Sequence, residues 1–143
     1  MTQIPPLIIE AHPASANVQF LEDQINAFNV KKTGIRSKGD ILLAIFVREG
    51  EVIRAGVFGW TWGGCCEIRY LWVEEARRGQ GIGQHLLADA EQEARRRGCH
   101  QMILDTHSFQ APLFYQRNGY EVVGVIDDYP QGFQKYYLKK RLT

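Results

Sequence analysis

One stretch limits the folds open to this chain more than any other: Glu67 to Gly83, Glu-Ile-Arg-Tyr-Leu-Trp-Val-Glu-Glu-Ala-Arg-Arg-Gly-Gln-Gly-Ile-Gly. Ile68 to Val73 is rich in aliphatic, aromatic and β-branched residues and predicts a buried strand. Arg78-Gly79-Gln80-Gly81-Ile82-Gly83 predicts a tight turn, because three glycines free the backbone to bend and carry no Cβ to hold a ligand away. From Ile82 the apolar spacing becomes helical, through Leu86, Leu87, Ala90 and Ala94. A helix N-terminus carries unpaired N–H groups and partial positive charge. Bare amides on a glycine turn at that end make an anion cradle suited to phosphate.

Two common phosphate fingerprints are excluded. Gly-x-Gly-x-x-Gly started at Gly79 ends on Gln84, and started at Gly81 it ends on Leu86; no Gly-Lys pair exists for a nucleoside-triphosphate loop. The pattern that remains is Arg/Gln-x-x-Gly-x-Gly/Ala after an apolar strand, with Arg78, Gly81 and Gly83 at its fixed positions. It resembles the GNAT superfamily, the acyl-CoA-dependent N-acyltransferases. A second segment, Ser108-Phe109-Gln110-Ala111-Pro112-Leu113-Phe114-Tyr115-Gln116-Arg117-Asn118-Gly119-Tyr120, resembles that family's Asn-x-x-Ala-x-x-Phe-Tyr-x-x-x-Gly-Phe/Tyr. The two segments stand in the family's order, separated by a helix and a strand as a βαβ unit requires. The resemblance covers nearly the whole chain, most specifically residues 67–120.

Read in order, residues 6–11 predict a first strand. A helix capped by Ser15 or Asn17 runs to about Lys32, with Val18, Leu21, Ile25 and Phe28 on one face. Thr33 to Gly39 reads as a loop. Asp40–Arg48 and Glu51–Thr61 predict an antiparallel pair, and Gly63-Gly64 turns the chain into the strand Cys65–Val73. A helix from Gly81 to near Gly98, a strand Gln101–His107 and a helix from about Phe109 to Asn118 follow. Tyr120–Asp127 and Phe133–Lys140 form a last hairpin. This order predicts one α/β domain over residues 1–143, a mixed, mostly antiparallel sheet of about seven strands with helices on both faces. The resemblance implies in addition that strands 65–73 and 101–107 run parallel and splay apart, admitting the thioester arm of coenzyme A.

The resemblance also implies the chemistry, an N-acetyl transfer from acetyl-CoA. Backbone amides of Arg78, Gly79, Gln80, Gly81, Ile82 and Gly83 hold the pyrophosphate, and Arg78 adds charge; Arg77 reads as a solvated arginine. Leu71 and Val73 offer main-chain groups to the pantetheine arm, and the Val73 N–H polarises the acetyl carbonyl. Tyr115 is the expected general acid for the leaving thiolate; its other reading is a core aromatic beside Phe114. Glu67, six residues before Val73, is the expected base for the amine, or else a strand glutamate facing solvent or pairing with Arg69. Ser108 stands where many relatives have asparagine, and either helps hold the pantetheine or caps the following helix. His107 either joins a proton wire or is a satisfied neighbour.

On the acceptor side, Asp127, Asp128 and Tyr129 either receive a cationic amine or serve turn chemistry. Trp60 and Trp62 line the acceptor mouth or a subunit contact, or pack on the sheet. The expected acceptor is a primary amine of a small molecule. A peptide or protein N-terminus or lysine is a second possibility, and a non-catalytic acyl-CoA-binding module a third. The net charge of +1 gives no reason to expect nucleic acid or an anionic membrane. No apolar run approaches a membrane span and no secretion signal is visible. Three cysteines, two of them adjacent, argue against a disulfide framework and for a reducing cytoplasm. Histidines and cysteines show no ligand spacing, so no metal is expected. Edge strands and exposed aromatics make a homodimer a further expectation.

Overall fold

The computed structural model describes residues 3–36 and 41–142. These fall into two compact units, one ending at Arg36 and the other comprising the residues after it. In the first unit the strand expected over residues 6–11 does not form. Pro5 and Pro6 lack the N–H a ladder needs, and Leu7, Ile8 and Ile9 stay exposed. The helix α1 spans Ser15–Thr33. Neither Ser15 nor Asn17 caps it: Ala14 is the N-cap, and no side chain bonds there. Gly34, in the left-handed region, closes it by donating its N–H to the Val30 carbonyl. Val18, Leu21, Ile25 and Phe28 are exposed, and no residue of the helix is buried.

The second unit holds a six-stranded sheet, so the seventh strand expected from the sequence is the one the prolines prevent. Its strands are β1 (Leu42–Glu49), β2 (Val52–Trp62), β3 (Cys65–Val73), β4 (Gln101–His107), β5 (Glu121–Asp127) and β6 (Gln134–Arg141), in the order β1-β2-β3-β4-β6-β5. Four neighbouring pairs are antiparallel, and β3 and β4 are parallel. The helix α2 (Ile82–Arg96) makes the crossover between the parallel strands, and a shorter α3 (Pro112–Arg117) follows β4. The helix expected from Phe109 thus starts three residues later, at a proline suited to a first helical turn.

One face of the sheet carries the core. Leu43, Ala55, Val57, Cys66, Ile68, Met102, Leu104 and Leu138 pack there with Leu86, Leu87, Ala90 and Ala94 of α2 and with Tyr115 and Tyr120. Glu91 lies among these apolar neighbours and is buried. Lys140 Nζ donates to both its oxygens, at 2.7 and 3.1 Å, and the Tyr120 hydroxyl donates at 3.3 Å. That network ties α2 to β6 and to the end of α3, with the Asn118 carbonyl also taking Lys140 at 2.9 Å. It leaves no periodic mark, which is why the sequence did not show it.

Candidate active site

The site begins with one extra residue. Phe58 pairs with Tyr70 and Gly59 with Ile68, so Arg69 has no partner on β2 and forms a bulge. The bulge reverses the pleat. Before it Cys66 and Ile68 point into the core; after it Leu71 and Val73 do. Gly59 makes the bulge possible, because a Cβ there would lie 2.0 Å from the Glu67 carbonyl oxygen. At the same level the parallel strands part. β3 and β4 pair only from Cys65–Gln101 to Ile68–Leu104, and beyond that Arg69–Val73 and Asp105–His107 face one another without pairing.

The parting leaves main-chain donors open. Glu74 N–H donates to Arg54 O at 2.8 Å, which makes the opposed pair Ala55–Val73 a non-hydrogen-bonded one. Val73 N–H and C=O therefore point away from β2, into the gap, and so do those of Leu71 two residues earlier. The Val73 carbonyl accepts from Arg78 Nε at 2.9 Å, so the Arg78 side chain folds back over the strand end.

Between β3 and α2 the chain makes a 3-10 turn, Glu75–Arg77, then the glycine bend. Arg77 is not a free cation: it pairs with Glu74 and Glu49, while Arg54 Nη1 donates to Glu74 at 2.7 Å. These ion pairs pin the turn to the β1–β2 hairpin. Gly79 and Gly81 both have positive φ, +78° and +84°. A Cβ on Gly79 would meet nothing within 4 Å, and one on Gly81 only the edge of His85. The bend is thus open to an incoming group at a helix N-terminus without a side-chain cap, and its amides suit a diphosphate. The site fits an acyl-CoA donor on these grounds.

Tyr115 stands on α3. It is 8% exposed and packs edge-to-face on Phe114 and Tyr120, with ring centroids 5.2 and 5.8 Å away. Burial, aided by the negative charge of Asp105, pushes its phenol up to about 12. It therefore stays protonated through the neutral range, as a proton donor must. The same loss of solvent would raise the proton affinity of a thiolate formed beside it.

The sequence model of the Acetyltransferase (GNAT) family matches residues 7–120. The chain belongs to this family. An acetyltransferase of Agrobacterium fabrum is 35% identical over 121 residues, which is 85% of this chain and 88% of that protein. The blasticidin-S acetyltransferase of Streptomyces morookaense is 43% identical over 84 residues, 58% of this chain and 60% of that one. A crystal structure of an acetyltransferase from Bacillus cereus superposes with a TM-score of 0.77 at 30% identity, over 94% of this chain and 97% of that one. The protein is accordingly an acyltransferase, and its family draws the acyl group from acetyl-CoA.

Within this GNAT frame, the other expected residues fall into two groups. Glu67 lies on the sheet face opposite the core, half-buried, in register with Trp60 and Ile103. It does not pair with Arg69, whose guanidinium stands 4.0 Å from Asp105 instead. Trp60 is half-buried and meets Phe58 edge-on. Three further expectations resolve into local structure. The Ser108 hydroxyl accepts from Gln134 N–H at 3.1 Å and does not cap α3, whose N-cap is Ala111. Asp128, at φ +56°, accepts from Gly132 N–H, and Asp127 accepts from Gln134 Nε2, so both carboxylates serve the hairpin turn. His107 Nδ1 lies 2.9 Å from the Tyr129 carbonyl, and its ring stacks on Phe109 and Tyr129. Among the described residues no three His, Cys, Asp or Glu side chains converge as metal ligands, and no helix is long and apolar enough to cross a membrane. Asp105, which the sequence reading did not single out, is the first residue of β4 beyond its pairing with β3 and remains paired with Tyr137 of β6.

Proposed function

We propose that this GNAT protein transfers the acetyl group of acetyl-CoA to a primary amine of a small molecule, by direct attack within a ternary complex. One observation carries the reading: β3 and β4 part just before the glycine bend, and the amides of Leu71 and Val73 turn into the gap between them. The diphosphate lies on the amides of residues 78–83, and the pantetheine arm runs along Leu71–Val73. The Val73 N–H donates to the thioester carbonyl oxygen as negative charge builds there; one such donor is worth about 3–4 kcal/mol in the transition state. The amine nitrogen attacks the carbonyl carbon and the C–S bond breaks. Glu67 takes a proton from the nitrogen, directly or through water, and Tyr115 gives one to the departing sulfur. No covalent acyl-enzyme is involved: burial raises the Cys65 thiol, and the Cys66 thiol to about 12, so neither is a ready nucleophile.

The names of relatives support a small acceptor, blasticidin S for one and IAA for another, the latter from Azospirillum brasilense. The free cysteines Cys65, Cys66 and Cys99 suit a reducing cytoplasm. The test is calorimetry with coenzyme A and acetyl-CoA, followed by thiol release against a panel of small primary amines. The expected results are saturable uptake and amine-dependent release. Absence of uptake, or uptake without release by any amine, refutes the reading.

A further inference from the structure

The opening between β3 and β4 is walled by rings on the face opposite the core. On β3, Leu71 and Val73 turn into the core, so Tyr70 and Trp72 project from the other face. On β4, Leu104 and Thr106 are buried, so His107 projects from that same face. Counted from the last pair, Ile68–Leu104, Trp72 is four residues on and His107 three, and the bulged Arg69 takes up the difference. The two rings therefore stand level on facing strands, and the next amide after Trp72 is the Val73 N–H that turns into the gap. His107 begins a larger group. Its ring lies against Phe109, with centroids 5.3 Å apart and planes at 3°, and against Tyr129 at 5.5 Å; Phe133 meets Phe109 edge-on at 5.1 Å. Hydrogen bonds fix this group in place. A carbonyl can only accept, so His107 Nδ1 donates to Tyr129 O at 2.9 Å; Tyr129 N–H donates to Phe133 O at 3.2 Å and Ser108 N–H to Gln134 O at 2.8 Å. Yet Trp72, Phe109, Tyr129 and Phe133 are exposed. Rings held rigid while open to solvent offer contact area whose ordering cost falls on folding rather than on binding.

We infer that the acceptor enters on this face, and that the ring group selects an amine carried on a short arm from a planar aromatic or heteroaromatic ring. The inference rests on the acetyl-transfer reading above and adds the substrate class to it. The acceptor's ring extends the stack of His107 and Phe109 towards Trp72, and the arm brings the nitrogen to the carbonyl carbon held at Val73. Charge favours a neutral ring here over a polycation. Two of the rings already carry protein cations: Arg69 lies over Tyr70 at 5.5 Å and Lys135 over Tyr129 at 5.1 Å. The nearby carboxylates are engaged as well. Asp105 stands 4.0 Å from Arg69 and 3.6 Å from Lys135, and Asp127 and Asp128 hold the hairpin turn. A further cationic group would meet like charge on this face, whereas an uncharged ring adds to the stack.

The experiment compares kcat/KM for 2-phenylethylamine and 2-cyclohexylethylamine, in the parent protein and in Phe109→Leu and Trp72→Leu. The two amines share the arm and the primary nitrogen, and the saturated ring is no less apolar. A preference between them therefore reports ring–ring contact rather than area burial. One aromatic pair, beyond its area burial, corresponds to about 2- to 12-fold. With rings on both walls, the parent should favour the aromatic amine by about 5-fold or more. Each leucine variant, apolar but without a ring, should reduce that preference by about 2- to 12-fold. A parent that uses the two amines equally, or favours the saturated one, overturns the inference without any variant. So does a preference that survives both substitutions. A parent that acetylates other primary amines, a linear polyamine among them, but neither ring amine overturns this inference and leaves acetyl transfer standing. A parent that transfers to no amine overturns the acetyl-transfer reading and this inference together, so the two failures are distinguishable.

Discussion

Gly59→Ala tests the geometry on which the opening depends. The added methyl would sit 2.0 Å from the Glu67 carbonyl oxygen, 3.0 Å from the Glu67 carbonyl carbon and 3.0 Å from Ile68 Cα. All three are main-chain atoms of the neighbouring strand, so no rotamer change relieves the contact. Reaching ordinary van der Waals distance requires β2 and β3 to separate by more than 1 Å at the level of the bulge, against a buried and closely packed core. Overpacking typically costs about 1–3 kcal/mol, and a contact this short against backbone places the change at the top of that range, about 3 kcal/mol. For a chain of this size about 3 °C of Tm accompanies each kcal/mol, so thermal unfolding should shift by about 10 °C. Gly79→Ala is the control. Its Cβ meets nothing, and only the left-handed backbone is strained, at about 1–2 kcal/mol. Thermal scans by circular dichroism compare the two, and calorimetry with coenzyme A reports the gap. Gly59→Ala should lose both stability and affinity. A Gly59→Ala protein that melts within 2 °C of the parent, or no earlier than Gly79→Ala, would show that the close approach does not set the strand separation.

Tyr115→Phe should lower kcat by about ten-fold or more and change coenzyme A affinity by less than two-fold, because the ring still fills the core; unaltered turnover would remove the phenol from the mechanism. Glu67→Gln should abolish the acidic limb of the pH–rate profile, and a profile superimposable on the parent's would exclude Glu67 as the proton acceptor. Stability should fall at alkaline pH. Folding holds the Cys66 thiol at about 12 against an ordinary 9.0, and the Tyr115 phenol at about 12 against 10.0. Both favour the protonated form in the fold, so their contribution is complete below pH 9 and is lost as pH rises from 9 towards 12. Tm measured from pH 8 to 11 should decline, and Cys66→Ala should flatten the decline; a Tm constant across that range would contradict it.

The legible parts were those written in local pattern. The helical spacing from Ile82 to Ala94 put Leu86, Leu87, Ala90 and Ala94 into the core, and the glycines at 79 and 81 took the positive φ their turn needs. β2, β3, β4, β5 and β6 formed within a residue or two of the expected limits. The start expected at Asp40 for the first hairpin strand lies outside the described residues. Residues 6–11 misled because Leu7-Ile8-Ile9 reads as a strand, while a strand exists only if another strand supplies its partners. Ser108 and Asp128 could each be read two ways, because serine and aspartate bind ligands and shape turns with the same oxygens; in the fold each accepts a main-chain N–H.

The linear order of residues determined the identity of the family and the anion-binding bend, because a glycine turn at a helix start is a property of adjacent residues. It could not determine where β3 and β4 stop pairing, or that Arg69 is the residue left over. Both follow from Gly59, on a different strand, allowing the Glu67 carbonyl to come close. Nor could it reveal how Glu91 can be buried: the Lys140 ammonium and the Tyr120 hydroxyl that satisfy it come from β6 and from the end of α3, and only the assembled fold brings them to it.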